Sequence, residues 1–105
     1  MGFKGNNHKL VNGEVYVLNF YHCEDRYIYL HTRDDNKMDG PWIHIEDECY
    51  DSNGTDNLGE VDNITASRLA NREERLQLEE SIELDRYVYP SELYIYTCSL
   101  KLKTY

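Results

Sequence analysis

Residues 64–85, ITASRLANREERLQLEESIELD, decide the fold, because no other stretch carries both a helix start signal and a helical period. Asn71 is a natural N-cap, since its side-chain oxygen can accept from an unpaired N–H two or three residues on. Glu74 stands three places later, where its carboxylate can reach back to close a capping-box pair. Glu73 and Glu74 sit at the positive end of the helix dipole and Arg86 near the negative end. Leu78 and Ile82 form an i, i+4 pair with Ser81 beside them, while Glu79, Glu80 and Glu83 face elsewhere. Leu76 and Leu84 fall off that stripe. So narrow an apolar face suits a helix laid across one sheet, entered from a strand over Asn63–Ala70.

Upstream, Glu14–Tyr21 (EVYVLNFY) is β-branched and aromatic and reads as a strand. Val15 and Val17 lie on one face, with Tyr16, Leu18 and Phe20 on the other. Arg26–Thr32 (RYIYLHT) is its hairpin partner, Ile28 and Leu30 opposing Tyr27, Tyr29 and His31. Trp42–Ile45 alternates as a short third strand after Gly40-Pro41. Downstream, Pro90 keeps Tyr87–Tyr89 extended, and Leu93–Leu102 (LYIYTCSLKL) reads as a last strand. Met1–Leu10 reads as a loose arm. The order β-β-β-loop-β-α-β predicts one α+β domain over residues 1–105. Five short, mainly antiparallel strands would form a twisted sheet or small open barrel with one helix.

Charge narrows the function classes. The net charge is −9, from 20 acids and 11 bases. Seven of the acids fall in the stretch 46–62, which has no Lys or Arg: Glu46, Asp47, Glu48, Asp51, Asp56, Glu60 and Asp62. The other 88 residues hold 13 acids against all 11 bases, a balance of only −2 (11 − 13). The acidity is therefore local, and 46–62 reads as an acidic loop. Nucleic-acid binding is not expected, because phosphate neutralisation needs a basic patch. No run is apolar enough for a membrane span or a signal peptide. Three widely spaced cysteines, Cys23, Cys49 and Cys98, argue against a disulfide framework and for a reducing, cytoplasmic setting.

The residues Arg68, Ala70, Glu73, Glu74, Leu78 and Ile82, followed by Asp85-x-Tyr87-Val88, resemble a module in small phage and prophage proteins of unassigned function. Its pattern there is roughly R-x-A-T-x-E-E-x-x-x-L-x-x-x-I, after two or three aromatic-rich strands. This chain departs from it with Asn71 at the cap and Arg75 at a usually apolar position. The resemblance covers about a quarter of the chain. It implies a viral or mobile-element origin and transfers no catalytic residue.

Motifs for chemistry are sparse. Asp51-x-Asn53-x-Thr55 begins like a calcium loop, but Asp56 occupies the glycine position and Asp62 the closing glutamate. His22, Cys23, His31, His44, Cys49 and Cys98 show no C-x-x-C or H-x-x-x-H spacing, so no metal or cofactor is expected. The glycines are isolated and none precedes the helix, which excludes a phosphate-cradling loop. No catalytic set is visible and an enzyme is not expected.

The expected function is that of a small, acidic, non-enzymatic binding protein. It would inhibit or modulate a host protein, one of defence or nucleic-acid handling, by presenting the 46–62 acids to a basic surface. A second candidate is a nucleotide or small-ligand binder using a tyrosine face. There Tyr27, Tyr29, Tyr94 and Tyr96 would stack and Arg26 or Arg33 would hold charge. A third is a virion or assembly subunit that forms homo-oligomers through strand edges.

Overall fold

A computed structural model of the chain describes residues 9–20, 24–35, 37–53, 58 and 61–93. Among the described residues, five strands form one open antiparallel sheet: β1 (Val15–Phe20), β2 (Tyr27–Leu30), β3 (Trp42–His44), β4 (Cys49–Asp51) and β5 (Ile64–Leu69). Their spatial order is β4-β3-β2-β1-β5, so β1 to β4 make a meander. The chain then crosses to the opposite edge, where β5 pairs with β1. A 3₁₀ turn at Val61–Asn63 leads into β5, and the helix α1 (Arg72–Leu84) follows it. The fold is α+β, as expected.

The set of five strands differs from expectation at one member. Cys49–Asp51 is a strand inside the acidic stretch, so 46–62 is not one continuous loop. Residues 45–48 form a tight turn, and the register Ile43↔Tyr50 and His44↔Cys49 closes a hairpin on β3. Glu48 takes the left-handed conformation in that turn (φ 54°). The expected strand Leu93–Leu102 lies outside the described residues apart from Leu93, which closes a helical turn over 90–93. Most of the N-terminal arm also lies outside them.

Strand alternation sends two apolar sets to opposite faces, and both are covered. Val15, Val17, Ile28 and Ile43 pack under Leu78 of α1 and under Tyr87, with Ile82 at the margin. Tyr16, Leu18, Phe20, Tyr29 and Trp42 face the other way, beneath Met38, Leu58 and Val61. Burial on both sides explains why β1 reads as a near-continuous apolar run.

The strand–helix junction follows the sequence signals closely. Asn71 Oδ1 accepts from the Glu74 N–H, while the Glu74 carboxylate accepts from the Asn71 N–H. The same carboxylate takes two bonds from the Arg68 guanidinium, at 2.7 and 2.8 Å. Arg68 and Glu74 therefore clamp the end of β5 to the first turn of α1.

Two polar side chains are buried in the helix–sheet interface, and both are satisfied. Gln77 Nε2 donates to the Val88 carbonyl at 2.8 Å and to the Tyr87 hydroxyl at 3.1 Å. Ser81 Oγ donates to the Gln77 carbonyl and accepts from the Val88 N–H. They hold the segment after the helix against its buried face, past the left-handed C-cap at Asp85.

Candidate functional site

The register between β2 and β3 places Tyr27 opposite His44. Their rings stack at 4.3 Å and 12°, which fixes the imidazole. Both lie on the sheet face away from α1, at the end where the β1–β2 connection meets the β3–β4 turn. His44 is 5% exposed. Its Nε2 lies 3.2 Å from Asp25 Oδ2 and 3.9 Å from Glu46 Oε1, and its Nδ1 lies 3.1 Å from Asp47 Oδ2. Nε2 is buried with no hydrogen-bond partner.

The surrounding chain holds these carboxylates in place. Glu46 Oε1 accepts from the Arg26 N–H at 2.7 Å and Oε2 from Arg26 Nε at 3.0 Å. Burial pushes the Glu46 carboxyl up, but those two bonds from Arg26 outweigh it and hold it below the usual carboxylate range. Asn19 Nδ2 donates to the Asp25 carbonyl at 2.8 Å, tying the connection to β1. The Ile45 N–H donates to the Arg26 carbonyl, continuing the β2–β3 ladder into the site.

The structure places the acids of the 46–62 stretch apart. Glu46, Asp47 and Glu48 cluster in the β3–β4 turn, Asp51 ends β4, and Asp62 is exposed in the 3₁₀ turn. Asp56 and Glu60 lie outside the described residues. The ion pairs among the described residues occupy Arg26, Arg33, Arg68 and Arg86, and leave Asp47, Glu48 and Asp62 without a guanidinium or ammonium partner. Tyr89, 43% exposed, lies close enough to Glu48 for its hydroxyl to be pushed up by that charge.

Tyr16, Tyr27 and Tyr29 do share a sheet face, on the side away from the helix. Tyr29 is wholly buried, Tyr16 nearly so and Tyr27 half-buried. The Tyr16 hydroxyl accepts from the Val11 N–H, and the Tyr29 hydroxyl meets His31 Nδ1 at 2.9 Å. His31 Nε2 faces the Asp35 carbonyl at 3.0 Å. A carbonyl only accepts, so the proton sits on Nε2 and Nδ1 accepts from Tyr29. His31 is a satisfied core histidine. Tyr94 and Tyr96 lie outside the described residues.

Arg26 is engaged by Glu46, and Arg33 is bracketed by Asp35 and Asp39 in the β2–β3 loop. A cleft beside Arg26, lined by Val17, Ile28, Ile45, Glu74, Gln77 and Pro90, offers about 130 Å³. Drug-sized ligands occupy pockets of about 300–1,000 Å³, so a nucleotide does not fit there.

Sequence reasoning missed the pairing of Asp25 with His44. The two are 19 positions apart (44 − 25) and meet only through the Tyr27↔His44 register. Linear ligand motifs do not see such a pair. The available signal was the hairpin itself, once Trp42–Ile45 was set antiparallel to Arg26–Thr32.

These features define an acidic α+β protein whose densest charge gathers on one hairpin turn around a buried histidine. No protein-family model, curated protein or solved structure matches the chain.

Proposed function

We propose that this chain is a small, non-enzymatic binding protein that docks the β3–β4 hairpin turn on a basic surface of another protein. The observation that supports the reading is the run Glu46, Asp47 and Glu48 in one tight turn, with Asp25 beside it and no cation matched to Asp47 or Glu48 among the described residues. A turn projecting at the end of a rigid hairpin presents charge at little entropic cost on binding. Complementary potential then steers association and selects the partner. The likeness of the strand–helix module to phage and prophage proteins makes a host protein the expected partner, one of defence or nucleic-acid handling, and modulation the expected outcome.

Capture from host lysate at low salt, followed by titration with salt, tests this. Affinity falls steeply as exposed charges are screened, and Glu48→Gln combined with Asp47→Asn weakens it. Binding that ignores both salt and those substitutions refutes the reading.

The edge strand β5 favours a second reading. It pairs only with β1 among the described residues and carries exposed Leu69. An unpaired edge can recruit another strand, so assembly into a discrete homo-oligomer, read by light scattering, is the alternative.

A further inference from the structure

We propose that Asp25, His44 and Glu46 bind a divalent transition-metal cation such as zinc or manganese, with Asp47 orienting the histidine from behind. This inference does not depend on the partner-binding reading. One ligand atom from each of the three residues lies within 4.8 Å of the others. The geometry is close to that of a metal site. Metal–ligand bonds of about 2.1 Å place tetrahedral neighbours about 3.4 Å apart. His44 Nε2 lies 3.2 Å from Asp25 Oδ2 and 3.9 Å from Glu46 Oε1.

The buried imidazole makes this more than an acidic cluster. His44 Nε2 is excluded from water, lacks a hydrogen-bond partner and lies within 4 Å of two carboxylates. A buried nitrogen of that kind is costly unless something binds it. Asp47 sits 3.1 Å from the other ring nitrogen. A carboxylate there favours the Nδ1–H tautomer and leaves Nε2, the nitrogen nearer Asp25 and Glu46, as the donor, the carboxylate–histidine–metal arrangement of known metal centres. Stacking on Tyr27 locks the ring plane.

Charge and donor type select the cation. Asp25, Glu46 and Asp47 against Arg26 leave a local double negative charge, which a divalent ion neutralises. The Arg26 bonds to Glu46 leave one lone pair free on Oε1, so they orient the carboxylate without consuming it. An imidazole donor favours zinc, copper, iron or nickel over magnesium and calcium, while the two carboxylates also admit manganese. Three protein ligands leave at least one position for water or for a partner's side chain. The bound ion would bridge the β1–β2 connection to the β3–β4 hairpin.

The test is calorimetric titration of the chelator-treated full chain with zinc chloride and, separately, manganese chloride. Nitrogen-15 spectra of the histidine rings provide a second readout. The expected result is one ion per chain with a rise in Tm, and coordination at His44 Nε2 with Nδ1 still protonated. Asp47→Asn weakens binding by about 10–100-fold, the range for residues behind a metal ligand, and Asp25→Asn weakens it further. Cys49→Ser and Asp62→Asn leave affinity unchanged. Replacement of the buried His44 risks misfolding, so the surface substitution Asp25→Asn carries the test. Three results each overturn the proposal: no saturable binding of either metal, full affinity in Asp25→Asn, or equal loss in Asp62→Asn.

Discussion

At the scale of single residues, the two buried polar side chains of α1 determine how the chain continues after the helix. Ser81 Oγ is the acceptor for the Val88 N–H at 3.0 Å, and both are buried. Ser81→Ala removes the acceptor without creating a large cavity and strands a donor, at a cost of about 1–3 kcal/mol. Urea denaturation should show a lowered midpoint at an unchanged m-value. Gly40 is constrained by space instead. A Cβ there would come within 1.9 Å of the Leu30 carbonyl oxygen, a backbone atom that cannot swing aside. Gly40→Ala must therefore push the β2–β3 loop off β2, with a loss of about 1–3 kcal/mol or more. Thermal unfolding checks this against Gly13→Asn, where nothing lies within 4 Å and the cost is the backbone strain of φ +93° without a clash.

At the scale of elements, the junctions around α1 rest on carboxylates paired with arginine. Glu92 takes two bonds from Arg86, at 2.8 and 3.2 Å, and a third from the Tyr89 N–H. Those contacts hold its carboxyl at about 2, and the Arg68 guanidinium likewise holds Glu74 below its ordinary value. A carboxyl with a lowered folded-state pKa contributes stability that is complete above its unfolded pKa, about 4.3. That stability is lost as pH falls through the folded value. The contribution of Glu92 therefore fades between about pH 4.5 and pH 2. Acid titration of stability should show Glu92→Gln flattening this limb while leaving the curve above pH 6 parallel to the parent. Helix start, cap and stripe were legible in the sequence because they are local: Asn71, Glu74 and Leu78 act within two turns. So were β1, β2 and β3, whose alternation is long enough to read. The strand β4 was not. Cys49-Tyr50-Asp51 is three residues in an acidic, turn-rich context, and only pairing with β3 makes it a strand. The Asp25–His44 contact was hidden for the same reason, since it depends on register rather than on spacing.

At the scale of the molecule, two electrostatic effects oppose each other. The ion pairs of Arg26, Arg33, Arg68 and Arg86 are exposed and stabilise weakly. Against them stands a net charge of −9, self-repulsive, with Glu46, Asp47 and Glu48 side by side in the β3–β4 turn. Exposed pairs contribute little each and lose it in salt. The repulsion sums over many acids and is long-ranged at low ionic strength, where the screening length is about 30 Å at 0.01 M against about 3 Å at 1 M. Repulsion should win, so Tm should rise as sodium chloride is raised. The hairpin turn should dominate the effect. Glu48 lacks a cationic partner among the described residues and faces Tyr89, and Glu48→Lys keeps its left-handed backbone as costly as before. The substitution should therefore raise Tm in dilute buffer and lose that gain in high salt, whereas Glu83→Lys on the outer face of α1 should give a smaller gain. Differential scanning calorimetry across a salt series, with chelator present to exclude trace divalent ions, separates the two. A Tm that falls with salt in the parent would show that the ion pairs hold the molecule together. A gain from Glu48→Lys that persists in high salt would show that the side chain acts through packing and not through its charge.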